Sequence, residues 1–274
     1  MNTVIRLLSL NVSLFDENNE KLSAFLKKTN PDLVCLQEVT KKVDASALDS
    51  YITKKAIDEA TLQLPHSFYA PNYSLKHFKQ HNFHGRETFE YDFEGQIECG
   101  NYIKSNYVID AAKSIFVQRS FSYVIDWEEM SKHPGEEPRM VEVVDLKISE
   151  KQKLRILNYH GIWSRDKQGT DRTKAACQKI AKLAQEVDHP SIICGDFNLF
   201  PHTESMHVLS DAFESLVDTF DIKYTRPKSN ELSGTKRNVV DYIIVSKGIT
   251  VQKFEVVDSD VSDHLPLILD FEIQ

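Results

Sequence analysis

The sequence lacks an apolar run long enough to cross a membrane, since no stretch approaches the roughly 18 apolar residues that a span requires. Residues 1–6 also lack the basic region and apolar run of a secretory signal. The four cysteines, Cys35, Cys99, Cys177 and Cys194, form no Cys-x-x-Cys pair, and three of them fall in apolar strand or helix patterns. We therefore predict buried free thiols and a cytoplasmic location.

Glycine and proline are sparse, with nine of each among 274 residues. No Gly/Ser-rich or Pro-rich linker, low-complexity tract or clear internal repeat divides the chain, so residues 1–274 are expected to form one domain. The glycine patterns of a P-loop and of a dinucleotide-binding turn are absent, and so is the Gly-x-Ser-x-Gly elbow. These absences argue against a P-loop protein, a dinucleotide-binding protein and a serine hydrolase.

The chain also lacks an excess of positive charge, because 41 acidic residues outnumber 33 basic ones and the net charge is −8. A broad basic face for nucleic acid is not expected, since phosphate contacts supply most non-specific affinity. A nuclease is not excluded, because a bound divalent cation and a local Lys/Arg cluster offset a repelling field. Arg165, Lys167, Arg172 and Lys174 form either such a cluster or a solvated helix start.

What the sequence does contain is a series of apolar, strand-like runs with polar side chains at their ends. Residues 4–12 close at Asn11, residues 20–29 have helical spacing, and residues 33–39 form a second strand that carries Glu38. A strand, a helix and a strand in this order predict a βαβ unit with parallel strands, so Asn11 and Glu38 should emerge at one sheet edge. A glutamate in an apolar run must be paired or metal-bound, unless Glu38 simply protrudes past the strand end.

The middle of the chain is less regular. Residues 44–60 have a weak helical pattern, and residues 68–93 are rich in Phe and Tyr and include His77, His81 and His84. A zinc site is disfavoured because no cysteine or second ligand pair accompanies these histidines. We predict a long surface loop whose rings cover the core or contact a substrate.

The second half returns to strong patterns. The predicted elements are a strand at 98–105, a hairpin of strands 141–148 and 154–160, a helix at 175–187, a buried strand from 191 that runs into Gly195-Asp196-Phe197-Asn198, a helix from a cap at Thr203 to about Val217, and strands at 239–245 and 265–273. Because the two strands of a hairpin are antiparallel, the sheet is not purely parallel.

Eight polar side chains lie at the ends of these apolar runs: Asn11, Glu38, His160, Asp196, Asn198, Asp241, Asp263 and His264. A buried aspartate at 241 needs a partner, and a carboxylate that orients an imidazole is typical of catalytic His–Asp pairs. Carboxylate and amide oxygens suit Mg²⁺ or Mn²⁺ better than zinc. A hard cation combined with Asp, Asn and His indicates phosphoryl transfer.

Four segments resemble the ordered motifs of the endonuclease/exonuclease/phosphatase superfamily: Leu8-Ser9-Leu10-Asn11, residues 32–39, Gly195-Asp196-Phe197-Asn198 and Ser262-Asp263-His264-Leu265-Pro266. Residues 100–105, 158–160 and 241–246 resemble its weaker motifs, so the resemblance spans residues 8–266. It implies an α/β fold, a four-layered α/β/β/α sandwich of two mixed β-sheets with the site at the sheet edges. It also implies a divalent-metal-dependent phosphoric ester hydrolase, which we expect to be monomeric.

The resemblance also implies a role for each of the matching residues. Glu38 would hold Mg²⁺ (or Mn²⁺), supported by Asn11 and Asp263. Asp196 would orient or deprotonate the attacking water, and Asn198 would hold that aspartate or a phosphate oxygen.

The two histidines complete this implied site. His264, paired with Asp241 or Asp263, would contact the scissile phosphate, and His160 would stabilise the phosphate or protonate the leaving oxygen. Substrate contacts are expected from Asn101, which lies in a matching motif, and from Arg165 and Arg172, which lie in the basic segment. Tyr102 and Lys104 depart from the pattern usual around Asn101, which is expected to reshape the substrate cleft.

Tyr159-His160 is similar to the deoxyribonuclease and sphingomyelinase branch and differs from the Tyr-x-Pro-Asn run of apurinic-site nucleases. The leading hypothesis is therefore a hydrolase of phosphodiesters, with nucleic acid as the default substrate. A phosphatase or phosphodiesterase for a small molecule or lipid headgroup is the alternative, favoured by the charge of −8 and by the aromatic segment 68–93. A catalytically silent binding module on the same fold is a third hypothesis.

Overall fold

A computed structural model describes residues 3–14, 19–44, 52–78, 93–124, 135–227 and 237–274. The strands and helices in these residues, in chain order, are β1 (Ile5–Asn11), α1 (Asn19–Thr29), β2 (Leu33–Lys42), α2 (Thr53–Ala60), β3 (His66–Phe78), β4 (Phe93–Ser105), β5 (Val108–Gln118), β6 (Ser122–Val124), β7 (Arg139–Lys147), β8 (Lys153–His160), α3 (Asp171–Gln185), β9 (Ser191–Asp196), α4 (Glu204–Ser210), β10 (Glu214–Ser215), α5 (Leu216–Thr219), β11 (Asp241–Val245), β12 (Ile249–Val256) and β13 (Leu267–Ile273).

The strands form two mixed sheets. The first has the order β12-β13-β1-β2-β4-β3-β6, and the second has the order β10-β11-β9-β8-β7-β5. Strands β1 and β2 are parallel, as the predicted βαβ unit requires. Strands β7 and β8 form the predicted antiparallel hairpin, and β8 pairs with β9 in parallel.

The apolar runs of β1 and β2 are continuous because both faces of these strands are covered. Leu7 and Leu33 belong to the core between the two sheets, whereas Leu8 and Val34 pack with helices α1 and α2 on the outer face. Alternate residues of a strand point to opposite faces, so a strand buried on both sides has no polar face to show.

Helix α3 covers the second sheet in the same way. Its buried residues Ala176 and Ile180 join the core between α3 and β8 and β9. Its first turn is closed by a capping box, in which the Thr170 hydroxyl accepts from the Thr173 backbone N–H and the Thr173 hydroxyl accepts from the Thr170 backbone N–H. The helix therefore begins before the predicted residue 175. Helices therefore lie on both outer faces of two mixed sheets, as the predicted sandwich has them.

Two predictions of local structure are wrong. The aromatic segment 68–93 is not one long loop, because its first part continues β3 and its end begins β4, which pair along their length. The helix predicted from Thr203 to Val217 is capped by Thr203 but ends at Ser210, and the chain then enters β10 and the short α5. Strands β5 and β12 were not predicted, because β5 is largely exposed, β12 is only partly buried, and neither has a continuous apolar run.

Several sequence features lie outside or at the margin of what the structure describes. His81 and His84 fall outside the described residues, as do the first residues of the helix predicted at 44–60, of which α2 is the described part. Cys35, Cys99, Cys177 and Cys194 are all buried and free, as predicted. No helix in the described ranges is both long and apolar enough to span a membrane.

A polar cluster crosses the core between the two sheets. The Asn158 side chain on β8 donates to Glu142 Oε2 at 2.8 Å and to the Leu36 carbonyl of β2 at 3.0 Å, and its Oδ1 accepts from Gln37 Nε2 at 2.7 Å. Glu142 is fully buried, and its Oε1 has no hydrogen-bond partner among the described residues. Burial raises the pKa of Glu142 well above its usual value, which favours the neutral acid over the carboxylate.

The raised pKa of Glu142 leads to a prediction about how stability depends on pH. The pKa of Glu142 is higher in the folded protein than in the unfolded chain, so the unfolded chain loses this proton first. The contribution of Glu142 to the free energy of unfolding therefore falls as pH rises above about 4.5. Glu142→Gln keeps the shape without the ionisation, and its new amide group replaces the oxygen that has no partner. We expect the variant to match the wild type near pH 5 and to become the more stable protein as pH rises, by up to about 1.4 kcal/mol per pH unit.

Urea denaturation of both proteins between pH 5 and pH 8 measures this difference. Glu59→Gln, which changes an exposed glutamate on α2, is the control and should follow the wild type throughout. A Glu142→Gln curve that runs parallel to the wild type at every pH would mean that Glu142 is ionised in the folded protein.

Candidate active site

Three of the predicted residues form a row across the second sheet. In the strand register, His160 at the end of β8 lies opposite Asp196 at the end of β9, and Asp196 lies opposite Asp241 at the start of β11. In the first sheet, Asn11 at the end of β1 lies opposite Gln37, the residue before Glu38. The sheet edges thus bring the predicted polar residues to the same side of the sandwich.

Asn11 links the two sheets at this edge. Its Nδ2 donates to Glu38 Oε1 at 3.0 Å in its own sheet and to Asp196 Oδ2 at 3.1 Å in the other. Its Oδ1 accepts from the Ser13 backbone N–H at 3.0 Å. The amide nitrogen of Asn11 therefore faces the carboxylates, and its oxygen faces away from them.

The backbone is unusual at three site residues. Glu38, Lys167 and Asn198 have φ of 59°, 56° and 56°, in the left-handed region that few non-glycine residues adopt. Glu38 lies in the irregularity of β2 between Leu36 and Val39, where the pairing with β4 shifts register. Such conformations are costly and cluster at functional sites, where the surrounding structure holds them.

Asp196 is at the centre of the cluster and is 1% exposed. Its Oδ1 accepts from the Asn198 backbone N–H at 2.8 Å, and its Oδ2 accepts from the Asn198 side chain at 3.2 Å. Burial opposes ionisation of Asp196, but the neighbouring His264, His160, Lys167 and Arg226 together outweigh burial and lower its pKa to about 2. Asp196 is therefore a carboxylate at any working pH.

Asp241 and His264 form a buried pair. His264 Nδ1 lies 2.8 Å and 3.0 Å from the two Asp241 oxygens, and its Nε2 lies 3.7 Å from Asp196 Oδ2. Asp263, the other predicted partner, lies 4.0 Å away from that Nε2. Burial disfavours the charged imidazole, but Asp241, Asp196 and Asp263 outweigh burial and raise the pKa of His264 to about 9.

His160 differs from His264 in charge. Its Nε2 lies 3.5 Å from Glu38 Oε1 and 3.7 Å from Asp196 Oδ2, and its Nδ1 faces Arg139 at 3.5 Å. An arginine can only donate, so Nδ1 accepts and the ring proton is on Nε2. Burial and the Arg139 charge lower the pKa of His160 well below its usual value. His160 is thus a neutral donor whose N–H points at the two carboxylates.

Sequence reasoning missed two cations at this site, Arg139 and Arg226. Arg139 is the first residue of β7, and its Nη2 lies 3.8 Å from Glu137 Oε2. Arg226 donates to Asp263 Oδ2 at 2.6 Å. Neither residue lies in a segment that stands out in the sequence. Lys167 was one of four candidate cations, and no pattern separated it from the other three.

The remaining substrate-binding predictions find no direct support in the geometry. Asn101 is fully buried and donates to the Asn158 carbonyl at 3.2 Å, so it ties β4 to β8 and has no surface for a substrate. The side chains of Arg165 and Arg172 are exposed and make no hydrogen bond or ion pair in the described part of the chain. Of the basic segment, Lys167 is the residue that reaches the site.

A divalent cation fits the carboxylates beside Asn11. Glu38 keeps 22% of its side chain exposed, and burial together with the nearby Asp263 charge raises its pKa. A divalent ion would relieve this repulsion, and carboxylate oxygens are ligands that Mg²⁺ and Mn²⁺ prefer. Asn11 presents nitrogen to this position, so direct ligation by its oxygen would require the amide to turn over.

A second group of potential ligands consists of Asp196, Asp241 and His264, whose ligand atoms lie within 4.8 Å of one another. The proton on His264 already occupies the space between its ring and Asp241, since its Nδ1 is within hydrogen-bond distance of both Asp241 oxygens. A cation bound there would have to displace that proton. No imidazole proton lies between Asn11 and the Glu38 carboxylate, which accepts from the Asn11 amide.

Comparisons with known proteins agree with this arrangement. The model of the endonuclease/exonuclease/phosphatase family matches residues 8–264. No curated protein matches the chain.

Solved structures with a similar fold include an endonuclease/exonuclease/phosphatase from Beutenbergia cavernae DSM 12333, with 15% identity, a TM-score of 0.69 and coverage of 98% of this chain and 72% of that one. The human Nocturnin catalytic domain with a bound sulfate anion has 17% identity, a TM-score of 0.64 and coverage of 100% and 97%. A mannosyl-6-phosphatase from Bacteroides thetaiotaomicron has 12% identity, a TM-score of 0.61 and coverage of 97% and 99%. At these identities the likeness concerns the fold.

The family model covers nearly the whole chain, and the residues that resembled the family's motifs meet at one edge of a two-sheet sandwich. The protein therefore belongs to the endonuclease/exonuclease/phosphatase family, whose members are metal-dependent phosphoric ester hydrolases.

Proposed function

We propose that this protein hydrolyses a phosphodiester with the help of a divalent cation, with Asp196 as the residue that positions the attacking water. The observation that carries the proposal is the surroundings of the Asp196 carboxylate. It is ionised and buried, and the Nε2 atoms of His160 and His264 both lie 3.7 Å from its Oδ2. A base, a neutral donor and a cationic donor thus converge on one small space, as hydrolysis of a phosphate ester requires.

Each side chain would have a separate task in this reaction. Asp196 accepts a hydrogen bond from the water and takes its proton as the oxygen attacks phosphorus. The ester P–O bond on the opposite side of phosphorus breaks, and the leaving oxygen takes a proton from solvent. His264, kept protonated by Asp241, donates to a phosphate oxygen and opposes the negative charge that develops there. His160 donates its Nε2–H to a second oxygen, and the low pKa of His160 argues for this role over protonation of the leaving oxygen.

Glu38 and Asp263 would hold the cation, which we take to be Mg²⁺ with Mn²⁺ as a substitute. When bound, such an ion polarises the phosphate and neutralises part of its charge. Asn11 is assigned to positioning, because its Nδ2 bonds both Glu38 and Asp196 and so fixes the distance between the cation position and the base. Asn101 is likewise assigned to holding β4 against the strand that carries His160.

Nucleic acid is the first candidate substrate, because Tyr159-His160 resembles the deoxyribonuclease and sphingomyelinase branch. A small phosphate ester is the second, because the net charge of −8 would repel a long polyanion. The fold shared with a mannosyl-6-phosphatase also supports it. A silent binding module is disfavoured, since the catalytic polar groups are present and mutually hydrogen-bonded.

A substrate panel with Mg²⁺ or Mn²⁺ tests the proposal. We expect turnover of bis(p-nitrophenyl) phosphate at a rate above that of the monoester, and loss of turnover with EDTA. Plasmid nicking would then favour nucleic acid, whereas phosphate release from mononucleotides, sugar phosphates or phospholipid headgroups would favour a small substrate. If no ester is turned over with either ion, the hypothesis of a catalytically silent binding module would be favoured.

We also infer a monomer in the cytoplasm. The four buried free thiols support a reducing compartment. Size-exclusion chromatography with light scattering tests the oligomeric state.

A further inference from the structure

Lys167 is an unusual lysine. It is 1% exposed, its backbone is left-handed, and its Nζ donates to Asn198 Oδ1. The same ammonium lies 4.8 Å from the centre of the Trp163 ring, within reach of a cation–π interaction. Lysine is seldom fully buried, because its charge is costly to desolvate unless specific partners hold it.

The segment around Lys167 is fixed to the loop that follows β9. The Phe200 backbone N–H donates to the Lys167 carbonyl at 3.0 Å, and the Lys167 N–H donates to the Ser164 carbonyl at 3.4 Å. The side chain is therefore delivered to Asn198 by a short docked turn, and not by a freely moving surface loop. Burial lowers the pKa of Lys167 to about 8, so it remains mostly charged at neutral pH.

The contact determines which way the Asn198 amide points. An ammonium group can only donate, so it requires the amide oxygen of Asn198 on its side. The Nδ2 of Asn198 is then left to donate to Asp196 Oδ2 at 3.2 Å. If the amide turned over, its oxygen would face the Asp196 carboxylate and its NH₂ would face the ammonium, and both contacts would become repulsive.

We propose that Lys167 is a positioning residue for hydrolysis, which fixes the orientation of the Asn198 amide and through it the Asp196 carboxylate. This inference rests on the proposed function, because it assigns Asp196 the task of orienting the water. Two side-chain donors, Asn198 Nδ2 and Asn11 Nδ2, then approach the same oxygen, Asp196 Oδ2. The backbone N–H of Asn198 holds the other oxygen. Lys167 secures one of these three bonds.

The test is a double-mutant cycle on Lys167→Met and Asn198→Ala, with kcat and KM measured for the best ester of the panel. Methionine keeps most of the length of lysine without its charge. We expect kcat of Lys167→Met to fall about 10- to 100-fold with KM changed less than about 3-fold, since a small displacement of a catalytic group has effects of this size. In the Asn198→Ala background, the same change should cost less than about 2-fold, because the residue through which it acts is gone.

The matched control is Lys182→Met, which removes an exposed lysine from α3 and should leave both constants unchanged. Thermal unfolding of each variant identifies any that fail to fold. If Lys167→Met instead raises KM with kcat unchanged, Lys167 contacts the substrate directly and the proposal is overturned. Fully additive losses in kcat would overturn it as well.

A second measurement does not depend on activity. The side-chain NH₂ signals of Asn198 in a ¹⁵N NMR spectrum can be assigned by their loss in Asn198→Ala. They should move in Lys167→Met and stay in place in Lys182→Met. Signals that stay in place in Lys167→Met would contradict the proposed contact. If the wild type hydrolyses no ester but the signals move, the proposed function fails while the contact between Lys167 and Asn198 stands.

Discussion

Asp196→Asn is expected to lower kcat by about 10²- to 10⁴-fold, the range that a general base contributes. Asparagine has the same shape, but its amide cannot take a proton from water and presents an N–H where a carboxylate oxygen stood. The KM should change far less, because the groups that would contact the phosphate, His160 and His264, are retained. Steady-state kinetics with the best ester of the panel, at saturating Mg²⁺, measure the effect.

The same substitution should also lower stability. The pKa of Asp196 is about 2 in the folded protein, below the usual 3.8, so the carboxylate stabilises the fold above pH 4 and this contribution disappears as pH falls towards 2. Its loss should cost about 2 kcal/mol at neutral pH. Asp188→Asn, which changes an exposed aspartate, is the control for both measurements. An Asp196→Asn protein with near-normal kcat would refute the assignment of the base.

Glu38→Gln is expected to abolish most of the response to divalent cations. Loss of an anionic ligand should weaken Mn²⁺ binding at least as much as the roughly 10- to 100-fold that loss of an outer-shell partner costs. At a Mn²⁺ concentration 100 times the wild-type Kd, the wild type should gain about 2.7 kcal/mol of stability. The variant should then gain no more than about 1.4 kcal/mol.

Calorimetric titration with Mn²⁺ and denaturation with and without the ion measure these effects. Without Mn²⁺ the variant should remain within about 1 kcal/mol of the wild type. Relief of the repulsion from Asp263 offsets the loss of one of the two oxygens that accept from Asn11 and from the Leu14 backbone. Glu59→Gln is again the control. Unchanged Mn²⁺ affinity in Glu38→Gln would move the cation site to the group formed by Asp196, Asp241 and His264.

The sequence predicted the parts of the fold whose signals are local. Apolar runs on β1, β2 and β9 identified strands covered on both faces, and the polar residue at the end of each run identified the edge where the site lies. A buried aspartate in the run Val-Val-Asp-Tyr-Ile-Ile-Val required a partner, which the structure shows to be His264.

The parts that were missed depend on contacts between distant segments. Arg139 on β7 contacts His160 on the neighbouring strand β8 of the hairpin. Arg226 donates a hydrogen bond to Asp263, which lies 37 residues further along the chain. Lys167 looked no different from Arg165, because burial of a lysine depends on the loop after β9 and not on its own neighbours. Strand β5 is largely exposed and β12 is only partly buried, so no periodic apolar pattern indicated them.

The hydrogen bond from Asn11 to Asp196 joins the two sheets, with the proposed cation position on one side and the proposed base on the other. In the proposed mechanism neither sheet is sufficient alone, because Glu38 and Asp196 lie on different sheets and both are required. Any slippage of one sheet over the other would therefore disable the enzyme while leaving both sheets intact. Activity should therefore depend on the relative position of the two sheets as well as on the integrity of each one.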